Sequence, residues 1–138
     1  MLTVDWKGGM AFEASPPSGA AFVMDTYPES GGHNLGPTPV ETLVSALAGC
    51  TAMDVVSILQ KKRQNLDAYR LEVEWDRGPE GVWPRPVTAV RVRHVLRGKD
   101  LDEVAVARAI ELSDTKYCSV SATLRPGVAI HTEFVIED

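Results

Sequence analysis

The sequence predicts an α+β fold with the element order β-β-β-α-β-β-α-α-β, on three observations. Short stretches of period-two alternation, broken by Gly and Pro, stand at both ends of the chain. One long segment carries apolar residues at helical spacing behind a clear start signal. Strands come in runs rather than alternating singly with helices, which separates α+β from a parallel α/β sheet. At 138 residues, 44% hydrophobic and 24% charged, the chain has the size and composition of one globular domain, 1–138. A disordered chain, a collagen and a disulfide-dense mini-protein are excluded on the same grounds.

Residues 1–27 alternate LTVDW, MAFEA and AAFVMDTY around Gly8-Gly9 and Pro16-Pro17-Ser18-Gly19, a meander of three antiparallel strands. The turn-rich stretch from Pro28 to Pro37 leads into the longest helix. Thr38 caps it, Pro39 takes the first helical position, and Glu41 completes a T-x-x-E capping box. Val40, Leu43, Val44, Leu47, Val55, Ile58 and Leu59 recur at helical spacing. Lys61-Lys62-Arg63 faces the negative end of the dipole and ends the helix near residue 64. At about 100° per residue, Ser45, Ala48, Gly49 and Ala52 make the face opposite the large apolar stripe small. Such a helix is the central rod of a domain or of a dimer. YRLEVEW and VTAVRVRHVL read as two strands around a Gly- and Pro-containing loop from Arg77 to Pro86. Asp100-Leu101-Asp102-Glu103 offers a second capping box that opens an amphipathic helix to about Tyr117. Ser119 or Ser121 caps a short helix that stops at Arg125-Pro126-Gly127, and VAIHTEFVIE closes the chain as a strand.

The formal net charge of -5, from 14 Lys plus Arg against 19 Asp plus Glu, excludes phosphate neutralisation, and hence nucleic-acid binding, as the main work. The start has no basic region followed by an apolar stretch, and the uncharged run from Thr42 to Met53 falls short of the ~20 residues that span a bilayer. A soluble, cytoplasmic protein without membrane association is expected. Two cysteines, Cys50 and Cys118, show no ligand spacing with His33, His94 or His131, so neither a metal nor an organic cofactor is expected. From position alone, Cys50, at the edge of the apolar stripe, reads as a small core side chain. Cys118 stands at a helix junction, where N–H groups can lower a thiol pKa. Trp6, Trp75 and Trp83 are candidate walls of an apolar pocket, although Trp75 in an alternating strand reads more simply as core.

Taken together, Gly36-Pro37-Thr38-Pro39-Val40-Glu41 through Ala48-Gly49-Cys50-Thr51, followed far downstream by Cys118-Ser119-Val120-Ser121, resemble the OsmC/Ohr family of osmotically inducible and organic hydroperoxide resistance proteins. The branch most alike is the YhfA-like one. The resemblance implies a curved antiparallel sheet wrapped around the Pro39 to Arg63 helix in an intertwined homodimer. It also implies thiol peroxidase chemistry, in which Cys50 becomes a sulfenic acid that Cys118 resolves to a disulfide. Implied with it are an organic hydroperoxide substrate and a dithiol reductant, free or as a lipoylated protein. The family pattern uses an N-terminal Arg and a helix Glu to ionise the first cysteine. This chain has no Arg before Arg63 and carries Val40 at the aligned Glu position. Glu41, nine residues before Cys50, points about 180° away on the same helix and is better read as a cap. Lys7, His33 and Arg125, or a group from another subunit, are the remaining candidates. Asp54, one turn after Cys50, either accepts a proton or serves as a hydrogen-bonding residue; His33 also reads as an ordinary solvated loop residue. Rival readings are a non-enzymatic redox-sensing or small-molecule-binding stress protein of the same fold, and a structural protein whose thiols only fill space.

Overall fold

The computed structural model describes all 138 residues. It divides into two compact units, Met1–Leu43 and Val44–Asp138. The first holds β1 (Thr3–Trp6), β2 (Phe12–Ser15) and β3 (Phe22–Met24), an antiparallel meander paired Trp6 with Phe12 and Phe12 with Met24, as the alternation predicts. A short 3-10 turn (Pro28–Ser30) opens the connection to α1 (Pro39–Lys61), whose first turn belongs to this unit and whose remainder belongs to the second. The connection is organised by Asp25, which is 2% exposed. Its carboxylate accepts from the backbone N–H groups of Thr26 at 2.7 Å, His33 at 3.2 Å and Leu35 at 3.2 Å. The Thr26 N–H foremost holds the Asp25 pKa below the usual carboxylate value. The chain crosses itself closely here: a Cβ on Gly36 would lie 2.0 Å from the Val23 carbonyl oxygen, which only glycine permits.

The α1 start is the expected capping box. Thr38 Oγ1 accepts from the Glu41 N–H at 3.1 Å, and Glu41 Oε1 accepts from the Thr38 N–H at 2.8 Å. Its end is a Schellman motif, with Gln64 N–H donating to the Leu59 carbonyl and Arg63 N–H to the Gln60 carbonyl, both at 3.0 Å. Arg63 takes the left-handed position (φ 56) that glycine usually fills, so the regular helix stops at Lys61, slightly before the expected residue 64. By length and composition α1 is also apolar enough to cross a bilayer. It exceeds the uncharged run because Glu41 and Asp54 stand within it. Val44, Leu47, Val55 and Leu59 nevertheless belong to the buried clusters of the second unit, as in a core helix.

The second unit contains β4 (Ala68–Arg77), β5 (Val87–Arg97), α2 (Glu103–Leu112), α3 (Ser119–Leu124) and β6 (Ala129–Glu137). β4 and β5 pair antiparallel as a hairpin, with a register shift at Asp76/Arg77. β6 pairs with β5 in parallel, Val90 with Ile130 and Val92 with Thr132. The expected single antiparallel sheet around the helix is therefore replaced by two three-stranded sheets, β1-β2-β3 and β4-β5-β6, the latter mixed. The helical crossover through α2 and α3 accounts for the parallel pair: it is long enough to return the chain in the same direction, as a short turn is not. On the outer face, Arg91 pairs with Asp76 at 2.8 Å and Arg93 with Glu72 at 3.4 Å, exposed pairs that add little stability. On the inner face Leu96, Val106 and Ala109 join Val55 and Leu59 in one cluster, while Val90, Val92 and Cys118 join Val44 and Leu47 in another.

Two expected caps are displaced. Asp102, not Asp100, caps α2 through Oδ1 on the Val104 N–H at 3.0 Å, and Asp100 takes a left-handed turn position (φ 55). After Leu112 the helix widens into a π-helical turn, Ser113–Tyr117, closed by the Cys118 N–H on the Ser113 carbonyl at 2.9 Å. This carries the helical stretch to the expected Tyr117. The cap of α3 is Cys118 rather than Ser119 or Ser121.

Candidate functional site

The candidate site lies within the second unit, where α1 meets the segment that joins the π-turn to α3. Cys50 and Asp54 stand one helical turn apart on α1. The π-turn delivers Cys118 so that the Sγ atoms of both cysteines and a carboxylate oxygen of Asp54 all lie within 4.8 Å of one another. Cys118 is buried, Cys50 is partly exposed, and both are free thiols. Cys118 Sγ accepts from the Ser121 N–H at 3.3 Å, a sulfur cap on α3. Ser121 itself is 1% exposed and its hydroxyl has no partner.

A side-chain chain fixes the carboxylate. Ser113 Oγ donates to Asp54 Oδ2 at 2.9 Å. Its only hydroxyl proton is then used, so the 2.8 Å contact with Thr51 Oγ1 has Thr51 as donor. Thr51 and Ser113 are both buried. Electrostatically the site opposes ionisation of the first thiol. Burial above all, then the Cys118 thiol and the Asp54 charge, push the Cys50 pKa above the usual cysteine value, against a lowering hydrogen bond from the Val120 backbone. Asp54 takes part in no ion pair.

Of the predicted site residues, Cys50, Cys118 and Asp54 come together. Arg125 follows α3 and reaches the Asp114 carbonyl at 3.5 Å. Glu41, Lys7 and His33 belong to the first unit. There Glu41 serves the capping box and faces the Tyr27 hydroxyl at 3.5 Å. Lys7 closes the β1–β2 turn through its N–H on the Ala11 carbonyl, and His33 donates its backbone N–H to Asp25. Trp75 packs on the apolar cluster as core, whereas Trp6 and Trp83 are exposed. A concavity of about 410 Å³ on the outer face of β4-β5-β6, lined by Glu72, Arg91, Arg93 and His131 among others, includes neither cysteine. Sequence reasoning missed Ser113 and Thr51. Their polarity among buried neighbours is the signal that identifies them, but only the fold says what they bind.

The structure is thus a mixed α+β chain in which a partly exposed cysteine on the longest helix meets a buried cysteine at a downstream helix cap. The model of that family, described as "OsmC-like protein", matches residues 32–133. Protein YhfA of Escherichia coli strain K12 is 39% identical over 127 residues, covering 92% of this chain and 90% of the relative. The chain belongs to the OsmC-like family. A hypothetical protein from Aquifex aeolicus shares the fold at a TM-score of 0.80 and 26% identity, over 100% of this chain and 97% of its own. An organic hydroperoxide resistance protein OsmC from Legionella pneumophila shares the fold alone, at a TM-score of 0.69 and 12% identity, over 97% and 96%.

Proposed function

We propose that this chain is a cysteine-based organic hydroperoxide reductase, a cytoplasmic thiol peroxidase that works as an intertwined homodimer without an organic cofactor. The observation that carries the reading is the meeting of the two sulfurs within 4.8 Å, a small movement from a bond of about 2 Å. Hydroperoxide resistance in the name of the Legionella relative supports it. Cys50, the more exposed thiol, meets the substrate. Asp54, steadied by Ser113, takes its proton, and the Val120 hydrogen bond favours the thiolate. The sulfur attacks one peroxide oxygen, forming an S–O bond while the O–O bond breaks and the alcohol leaves with a proton. Cys118 then attacks the Cys50 sulfenic acid, forming the S–S bond and releasing water. Two thiols and one hydroperoxide thus give a disulfide, an alcohol and water, and a lipoyl-type dithiol returns the two electrons.

The two compact units act as one domain in this reading, since the family match runs from 32 to 133 across their boundary. Dimerisation draws support from the first unit. Trp6 is 67%, Phe12 39% and Phe22 41% exposed, apolar surface that a second copy would cover. Lys7, His33 and Arg125 remain the candidates for a supporting role. The raised Cys50 pKa, with Val40 at the family's Glu position, favours a second reading: a redox-sensing or small-molecule-binding protein of the same fold that oxidises once and does not turn over. Consumption of an alkyl hydroperoxide with dihydrolipoamide, comparing wild type with Cys50→Ser, decides between them. Turnover lost in Cys50→Ser supports the enzyme. A single stoichiometric oxidation supports the sensor, and equal background rates reject both.

A further inference from the structure

The same three groups also form a constellation with a use outside peroxide chemistry. Asp54 is held in place by a Ser113 hydroxyl whose own orientation is set by Thr51. Two sulfurs and one carboxylate oxygen within 4.8 Å are the donor set of a borderline-soft cation. Zn–S bonds of about 2.3 Å place tetrahedral sulfurs about 3.8 Å apart, so closure on an ion asks for shifts of about 1 Å or less. An outer shell is present, with Ser113 on the carboxylate and the Ser121 N–H on Cys118 Sγ. Such contacts orient ligands and hold thiolates. In the same cap, the buried Ser121 hydroxyl has no protein partner.

We propose that reduced Cys50, Cys118 and Asp54 form a binding site for a thiophilic divalent cation of the Zn2+ class, with its fourth position open to water or a small external ligand. The cation replaces the two thiol protons, so binding releases acid. It reverses the local electrostatics, because the negative charge of Asp54 then favours the bound state instead of opposing ionisation of Cys50. Metal binding and the Cys50–Cys118 disulfide are mutually exclusive. Oxidation of the loaded site by a hydroperoxide, with two protons taken up, yields disulfide, alcohol, water and a free cation. The site stands whether or not the chain turns over hydroperoxides.

The test is titration of the reduced full-length protein with Zn2+ by calorimetry in two buffers of different ionisation enthalpy, and with Cd2+ followed by its thiolate charge-transfer absorption. The expected result is one ion per chain, proton release, and a thiolate band. Affinity should fall about tenfold or more in Cys50→Ser, Cys118→Ser and Asp54→Asn. The diamide-oxidised wild type should bind nothing at this site, a comparison that needs no variant to fold. Absence of the thiolate band, or affinity unchanged by oxidation and by all three substitutions, overturns the proposal. A protein that consumes hydroperoxide but gives no band loses this inference alone; one that gives the band without turnover loses the enzymatic reading alone.

Discussion

The two compact units bury their residues in different ways. In Met1–Leu43 the buried apolar residues are Ala11 and Ala14 alone, while Val4, Trp6, Phe12 and Phe22 lie exposed, and the loop is held by the Asp25 carboxylate. In Val44–Asp138 two apolar clusters run along the inner face of β4-β5-β6 against α1, α2 and the Cys118 cap. The reactive groups belong to the second kind of structure. Three donors from separate segments stay within a few ångströms only where close packing fixes both segments. Polar organisation of the first kind serves turns, where backbone N–H groups need an acceptor and little apolar area is available.

The largest effect that sharpens this contrast is Leu59→Ala, which removes a side chain 1% exposed from the second unit's core. A loss of about 3 to 4 kcal/mol is expected in urea unfolding. Phe12→Ala in the first unit should cost far less in a monomer. An equal cost, together with a change in oligomeric state, would mean that the exposed face is covered in solution and would support the dimer.

The next effect is pH-dependent and belongs to the second unit. His94 is 0% exposed, its Nδ1 lies 2.6 Å from the Tyr69 hydroxyl, and its Nε2 has no partner. Burial lowers its pKa from 6.5 to about 4. A folded-state pKa below the unfolded value means that the unfolded chain binds the proton more readily. Stability is therefore full above about 6.5, falls as pH drops towards about 4, and is lower by about 3 kcal/mol at the bottom of that window. In His94→Gln the slope over this window should shrink, as read from unfolding midpoints at successive pH values; an unchanged slope would assign the effect to other groups.

The smallest effect lies in the first unit. Thr38→Ala removes the Oγ1 acceptor of the Glu41 N–H and should cost about 1 kcal/mol. Faster amide exchange is expected at the start of α1, with no change in the sulfur geometry of the second unit. Disturbance of thiol reactivity by this variant would show that the units are coupled.

Much of this was legible in the residues. The capping box, the helix through Leu59 and the alternation of β4 are local, and local physics set them. His94 was legible too, since it stands two positions after Val92 and four after Val90 and so shares their buried face. Alternation says which face a residue takes but not the direction of the neighbouring strand, so the parallel β5–β6 pair stayed hidden. Asp54 was visible beside Cys50 from helical spacing. Ser113 was not, because its role depends on a π-turn and on a helix distant in sequence. Nor does a Ser-rich segment announce that a sulfur, rather than a hydroxyl, will take the cap of α3.

That cap ties reactivity to chain order. Cys118 Sγ is at once the acceptor that terminates the α3 backbone and one of the two atoms available for oxidation. A substitution that removes the sulfur without supplying another acceptor therefore takes the cap of a six-residue helix along with one of the chain's two thiols.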